Sequence, residues 1–211
     1  MTQSIYDSYL DALLAGNRQE CTKIVQELLG NQIRIKILYT DLFQKSLYQV
    51  GELWESNKIT VAREHLATAI TEGLLNLVYP ELFRGDRRQK KIVVSCAANE
   101  FHQIGGKMTA DIFEINGWDA YFLGANTPVD HMLGFIDEEK PDLAALSLSI
   151  YFNMPSLKSA IEAIRTDFPD LDLLVGGQAF RWGGGDIIRK FKNVELIASL
   201  DDLEKQMAWT P

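Results

Sequence analysis

Cysteine, histidine and positive charge are all scarce in this chain. Of its 211 residues only two are cysteine and three histidine. Cys21 and Cys96 lie far apart, which excludes a disulfide framework and a zinc-finger spacing; both read as buried thiols rather than reactive ones. No apolar run approaches the roughly 20 residues of a membrane span. The opening Met1-Thr2-Gln3-Ser4-Ile5-Tyr6-Asp7 shows neither a basic region nor an apolar core, so no signal peptide is visible. The compartment these absences imply is the cytoplasm. Lys and Arg number 21 against 29 Asp and Glu, a net charge of −8. A nucleic-acid-binding chain normally presents a basic face, so direct contact with nucleic acid is not expected. The one basic cluster, Arg84-Gly85-Asp86-Arg87-Arg88-Gln89-Lys90-Lys91, is short, contains an acid and reads as a solvated linker.

What is present divides into two halves of different periodicity. Residues 1–83 lack strand signals, and their apolar residues recur at helical spacing. Ile24, Leu28 and Leu29 form one set; Leu38, Leu42, Leu47 and Val50 a second; Leu66, Ile70, Leu74, Leu77 and Val78 a third. Breaks fall at Gly16-Asn17, Gly30-Asn31 and Ser56-Asn57-Lys58, Thr60 suits an N-cap, and Pro80 sits near the last helix end. This predicts a four-helix domain over residues 1–84. From residue 91 to 211, short apolar runs alternate with helical segments. The predicted strands are 91–97, 119–123, 143–148, 171–175 and 194–198; helices are predicted near 104–116, 129–139, 156–167, 183–191 and 200–208. Such alternation predicts an α/β fold, a five-stranded parallel sheet with helices on both faces.

Right-handed crossovers would place every strand-to-helix loop on one edge of that sheet. The first loop holds Glu100-Phe101-His102-Gln103-Ile104-Gly105, an acid two residues from a histidine. A carboxylate on one ring nitrogen holds an imidazole in one tautomer, a common arrangement in a metal ligand. Other loops on the same edge hold Gly124–Pro128, Ser147–Pro155 and Gly176-Gly177. Gly183-Gly184-Gly185 is not a phosphate loop, since no Gly-Lys-Ser/Thr follows, and Gly105-Gly106 lacks the third glycine of a dinucleotide fingerprint.

Together these loops resemble the cobalamin-binding Rossmann-like (flavodoxin-like) domain. The family pattern is Asp-x-His-x-x-Gly, then Ser-x-Leu, then Gly-Gly. Here it reads Glu100-x-His102-x-x-Gly105, Ser147-Leu148-Ser149 and Gly176-Gly177, in the same order and spacing. Leu123-Gly124-Ala125-Asn126-Thr127-Pro128 is similar to the family as well. The resemblance implies a protein histidine below cobalt, His102, with Glu100 on its other ring nitrogen. It implies that Ser147 and Ser149 face the buried nucleotide tail and that Gly176 and Gly177 let backbone approach it. Two departures stand out: the acid is Glu rather than Asp, and the leucine of Ser-x-Leu is Ser149. The family often supports its acid with a hydroxyl beyond this loop; Ser156 and Asn153 both stand at suitable places.

A preceding helical cap belongs to the same pattern. Trp54 is followed, after nine residues, by Glu64-His65, and this looks like the cap of light-sensing, adenosylcobalamin-dependent transcriptional regulators. The likeness implies that the corrin is held between cap and sheet domain, with Trp54, Glu64 and His65 on its upper side. Those regulators also carry an N-terminal DNA-binding domain, for which few residues precede the cap here. Their extra histidine beside the tryptophan is Glu55 in this chain, and His131 reads as a solvent-facing residue at a helix start. The expectation is a stand-alone adenosylcobalamin sensor or regulatory module that acts through a partner protein. The alternative is a corrinoid carrier, binding methylcobalamin, in a methyltransferase system.

Overall fold

The structure, a computed structural model, describes residues 1–83 and 85–209. Arg84, which opens the basic cluster and ends the expected helical domain, lies outside the described residues, as do Thr210 and Pro211 at the end of the expected sheet domain. The chain divides into two compact units, Met1–Glu81 and Leu82–Pro211.

The first unit is helical. α1 (Gln3–Ala15) starts at Thr2, whose hydroxyl accepts from the Ile5 N–H, and ends at Gly16 in the left-handed region with φ 75°. Asn17 then caps α2 (Arg18–Gly30) by accepting from the Glu20 N–H. The third rod is built from α3 (Ile35–Ile37), a π-helical segment (Leu38–Gln44) and α4 (Lys45–Glu55). Ile37, Gln44 and Lys45 all keep right-handed helical angles, so the three pieces run on as one rod. Leu38, Tyr39, Leu42 and Phe43 within the π segment are fully buried, and Phe43 packs against both Tyr39 and Tyr9. All four large side chains of the wider turn thus belong to the same core. α5 (Val61–Val78) starts at Thr60, as its sequence predicts, and a 3₁₀ turn (Tyr79–Glu81) containing Pro80 ends it. The unit therefore comprises four helical rods.

The second unit is a five-stranded sheet. Its strands are β1 (Lys91–Cys96), β2 (Asp119–Phe122), β3 (Leu143–Ser147), β4 (Asp172–Gly176) and β5 (Val194–Ile197). All pairings are parallel, in the order β2-β1-β3-β4-β5. Central strands β1 and β3 are buried along nearly their whole length, as the uninterrupted apolar runs require when helices cover both faces. α6 (Ile104–Ile115) and α10 (Leu200–Trp209) pack on one another and on the sheet. α7 (Val129–Glu139), α8 (Met154–Asp167) and α9 (Gly185–Ile188) share the other core, with Val93, Leu146 and Val175 from the strands.

The basic segment before β1 is exposed, yet it is tied down rather than simply solvated. Arg87 donates to Glu114 at 2.8 Å and to Asp119 at 2.6 Å. The Arg88 N–H donates to the Gly117 carbonyl at 2.7 Å. Both thiols are buried and unbridged, and burial pushes Cys21 up to about 11 and Cys96 up to about 12. No described helix is long and apolar enough to cross a membrane.

Strand order reverses between β1, which is followed outward by β2, and β3, which leads outward to β4. In open α/β sheets the crevice beyond the strand ends at such a reversal is where ligands bind. The row of strand ends there is in register: Cys96 beside Ser147, Ser147 beside Gly176, Gly176 beside Ile197. Just past it, Gly177 has φ 120°, and a Cβ at this position would collide with the Leu148 carbonyl. Gly177→Ala should therefore lose about 3 kcal/mol or more of unfolding free energy, from backbone strain and overpacking together. Gly134→Ala in α7, where a Cβ would meet nothing within 4 Å, should instead gain about 0.5–1 kcal/mol. Urea titration of the two variants checks both signs.

Candidate functional site

The loop between β1 and α6 buries one residue and exposes its neighbours. Glu100 is 0% exposed, whereas Asn99, Phe101 and His102 face outward. An ionised carboxylate removed from water is costly unless it is fully hydrogen-bonded, and Glu100 is. Its Oε1 accepts from the His102 N–H at 2.9 Å and from His102 Nδ1 at 2.7 Å. Its Oε2 accepts from the backbone N–H groups of Ser149 and Ile150, both at 2.9 Å. Burial alone would raise its pKa, but these donors outweigh it and hold the carboxyl down at about 2.

The consequence for His102 is chemical. An acceptor-only carboxylate on Nδ1 requires that nitrogen to carry the proton, which puts the ring's lone pair on Nε2. The side chain is 48% exposed at the sheet edge. The site thus offers an oriented imidazole donor with an anionic partner behind it, the arrangement that strengthens a metal ligand.

The structure brings most of the other predicted residues to the same edge. Ser147, 7% exposed, ends β3, and Ser149 follows in its loop. A Cβ on Gly105 would lie 3.6 Å from the Ser147 hydroxyl, an ordinary contact, so packing does not itself demand glycine there. It does demand glycine at the next position: a Cβ on Gly106 would stand 2.9 Å from the Phe122 ring. Gly176 is constrained by the Ile197 carbonyl, 3.0 Å from where its Cβ would be, and Gly177 by Leu148. The pair is thus required by the fold's own close approaches, whatever else it accommodates.

The remaining candidates lie in the helical unit. Trp54, 44% exposed, sits in the last turn of α4. Glu64 and His65 occupy the start of α5, where the helix N-terminus favours an acid. His65 Nδ1 lies 2.5 Å from Glu64 Oε2, and the Thr68 hydroxyl donates to Glu64 Oε1 at 2.9 Å. This pair repeats the acid-on-Nδ1 arrangement of Glu100 and His102, on an imidazole that is 72% exposed. His131 is exposed in the first turn of α7.

Neither Ser156 nor Asn153 supports the acid. The Asn153 side chain donates to the Asn99 carbonyl at 3.1 Å, and the Asn99 side chain donates to the Ser156 hydroxyl at 3.3 Å. The amides of Ser149 and Ile150 take the place a hydroxyl would have had. Backbone donors have no residue-type signature, so sequence reasoning missed them. It also passed over Asn99, and it gave no role of its own to Asn126 within the Leu123–Pro128 loop; both asparagines adopt left-handed angles, φ 65° and 51°, which this residue type tolerates.

Comparison with known proteins bears on the family and the fold. Residues 5–79 match one family model described as a B12 binding domain, and residues 90–192 match a second of the same description. The HTH-type transcriptional repressor CarH of Myxococcus xanthus is 26% identical over 176 residues, 83% of this chain and 58% of that protein. The repressor CarA of the same organism is 31% identical over 126 residues, 59% of this chain and 43% of its own length. The chain spans about half the length of these relatives. A Methanosarcina barkeri monomethylamine corrinoid protein has the same fold, with TM-score 0.84 at 15% identity over 100% of both chains.

The lowered Glu100 pKa carries a pH signature. With its folded value near 2 against an ordinary 4.5, the carboxylate stabilises the fold fully above the unfolded value. That stabilisation, on the order of 3 kcal/mol, is lost as pH falls from about 4.5 towards about 2, because the unfolded chain takes up the proton first. Glu100→Gln should be less stable at neutral pH and should lack this share of the acid slope. Urea midpoints of the two proteins between pH 3 and 6 check it; parallel curves would rule out the clamp.

Proposed function

The chain belongs to the B12-binding domain family, and from that premise we propose that it holds cobalamin with His102 as the lower axial ligand of cobalt. The observation that carries this reading is the imidazole fixed by a buried carboxylate at the edge where strand order reverses. The donor set fits. A corrin brings its own ring nitrogens to cobalt, so a single oriented protein nitrogen suffices, and that is what the loop presents. Glycine at Gly105, where packing alone does not ask for it, leaves space beside Ser147 for a bound tail. In this reading Ser147, Ser149, Gly176 and Gly177 line the tail's path within the sheet domain, residues 91–211. Trp54, Glu64 and His65, in the helical cap of residues 1–84, serve the upper side.

The cofactor, when bound, supplies a labile cobalt–carbon bond; the chain supplies its surroundings. His102 donates from Nε2, and the charge on Glu100 raises that donation. Ser149 and Ile150 hold the acid in place. The Trp54 indole offers an apolar wall against water, and Glu64 keeps the His65 ring in one tautomer.

The Trp54…Glu64-His65 pattern and the likeness to two transcriptional repressors support an adenosylcobalamin sensor, a regulatory module of the cytoplasm whose output passes through a partner protein. Sensing requires two states of the protein with different affinity for the cofactor. The whole-length fold shared with a corrinoid protein supports the second reading, a methyl carrier whose partner would be a methyltransferase component.

Two measurements test these readings. His102→Ala should convert bound cobalamin to the base-off absorption spectrum; a spectrum identical to wild type would remove His102 from cobalt. Desalted mixtures made in the dark with adenosylcobalamin should keep their colour and change under green light beyond what free cofactor shows. Retention of methyl- or hydroxocobalamin with exclusion of the adenosyl form would favour the carrier, and no retained corrin would overturn both.

A further inference from the structure

The segment that presents His102 is gripped by a residue from another loop. Asn126 lies between β2 and α7. Its side-chain Oδ1 accepts from the Asn99 N–H at 2.8 Å. Its own N–H donates to the Glu100 carbonyl at 2.9 Å. One residue thus brackets the two positions directly preceding Phe101 and His102. On the other side, Asn153 donates to the Asn99 carbonyl, and the Glu100 carboxylate is held by the amides of Ser149 and Ile150.

The plain explanation for asparagine at φ 51° is tolerance of the left-handed region. That explanation does not require the side chain to bond anything, and glycine would satisfy it equally well. At Asn126, however, the side-chain acceptor and the backbone donor both engage the same two-residue segment. Without the Oδ1 bond, the Asn99 N–H loses its partner, and from the β2 side only the Asn126 N–H on the Glu100 carbonyl still holds the loop. Glu100 must keep four donors at 2.7–2.9 Å at once, so a small shift of its backbone is passed to the ring of His102.

We infer that Asn126 is a positioning residue for His102, acting through the Asn99–Glu100 segment to set the orientation of the imidazole. Its effect at cobalt rests on the cobalamin reading; its effect on the ring does not. The specific requirement is an acceptor at the Oδ1 position, which separates this role from that of a turn former.

Asn126→Gly keeps the backbone angle and the N–H but removes the acceptor; Asn126→Asp keeps the acceptor. In the full chain without cofactor, Asn126→Gly should shift the His102 ring ¹⁵N and ¹H resonances, and Asn126→Asp should return them towards wild type. Titrated with hydroxocobalamin and followed by absorbance, Asn126→Gly should bind about tenfold more weakly, the lower end of the loss typical for an outer partner of a metal ligand. If Asn126→Gly does not fold, Asn126→Ser takes its place, since its shorter hydroxyl cannot reach the Asn99 N–H, and the same shift is required. Wild-type ring resonances in the acceptor-free variant, or Asn126→Asp behaving like Asn126→Gly, would overturn the inference. Ring shifts that recover in Asn126→Asp, with hydroxocobalamin binding unchanged even in His102→Ala, would uphold the positioning role and remove His102 from cobalt instead.

Discussion

A carboxylate buried at a sheet edge has to be satisfied completely or the chain has to refold around it. Glu100 meets that requirement with two donors from its own loop and two from the loop after β3. Its pKa near 2 expresses the balance: burial works against the charge, and four hydrogen bonds win. The same bonds fix the distance between the two loops at the point where strand order reverses, and they fix which nitrogen of His102 carries the proton. Loop geometry, imidazole orientation and the electrostatics of the edge all follow from one side chain.

The scaffold beneath makes this possible because a parallel sheet covered on both faces has little freedom left. Strand ends Cys96, Ser147 and Gly176 are locked in register, so the loops that leave them start from known places. Where neighbours approach most closely, the residue is glycine: Gly177 against the Leu148 backbone, and Gly106 in α6 against the Phe122 ring. Loops rigidly started and closely packed can hold a long glutamate in one conformation. The far oxygen of this glutamate reaches the backbone amides of Ser149 and Ile150.

Much of this was legible beforehand, for identifiable reasons. Runs such as Ile92-Val93-Val94 and Leu143-Ala144-Ala145-Leu146 are apolar throughout because both of their faces are covered, and that signal survives in a single sequence. Helix ends were legible where a side chain does the capping, as at Asn17 and Thr60. The Glu100–His102 pairing was legible because two residues in one loop are close by covalent connection. The support of the acid was not, since Ser149 and Ile150 contribute only amides. Ser156 and Asn153, which sequence spacing offers as candidates, serve Asn99 instead. The π segment at Leu38–Gln44 was equally hidden. Its buried residues, Leu38, Tyr39, Leu42 and Phe43, keep the i, i+3 and i+4 spacing of an ordinary helix, and only the shape of the surrounding core calls for a wider turn.

By itself, then, the sequence determined the alternation of elements, the parallel sheet, the helical half and the acid–histidine pair, because periodicity and short-range spacing are local properties. It also carried the motif order that places the chain among B12-binding domains. Tertiary structure alone decided which loops meet, which carbonyls and amides satisfy Glu100, and why asparagine rather than another turn former stands at 126. Those are contacts between segments separated by some 26 to 50 residues. They exist only once strand order and register have been set, and backbone partners leave no mark in the one-letter code.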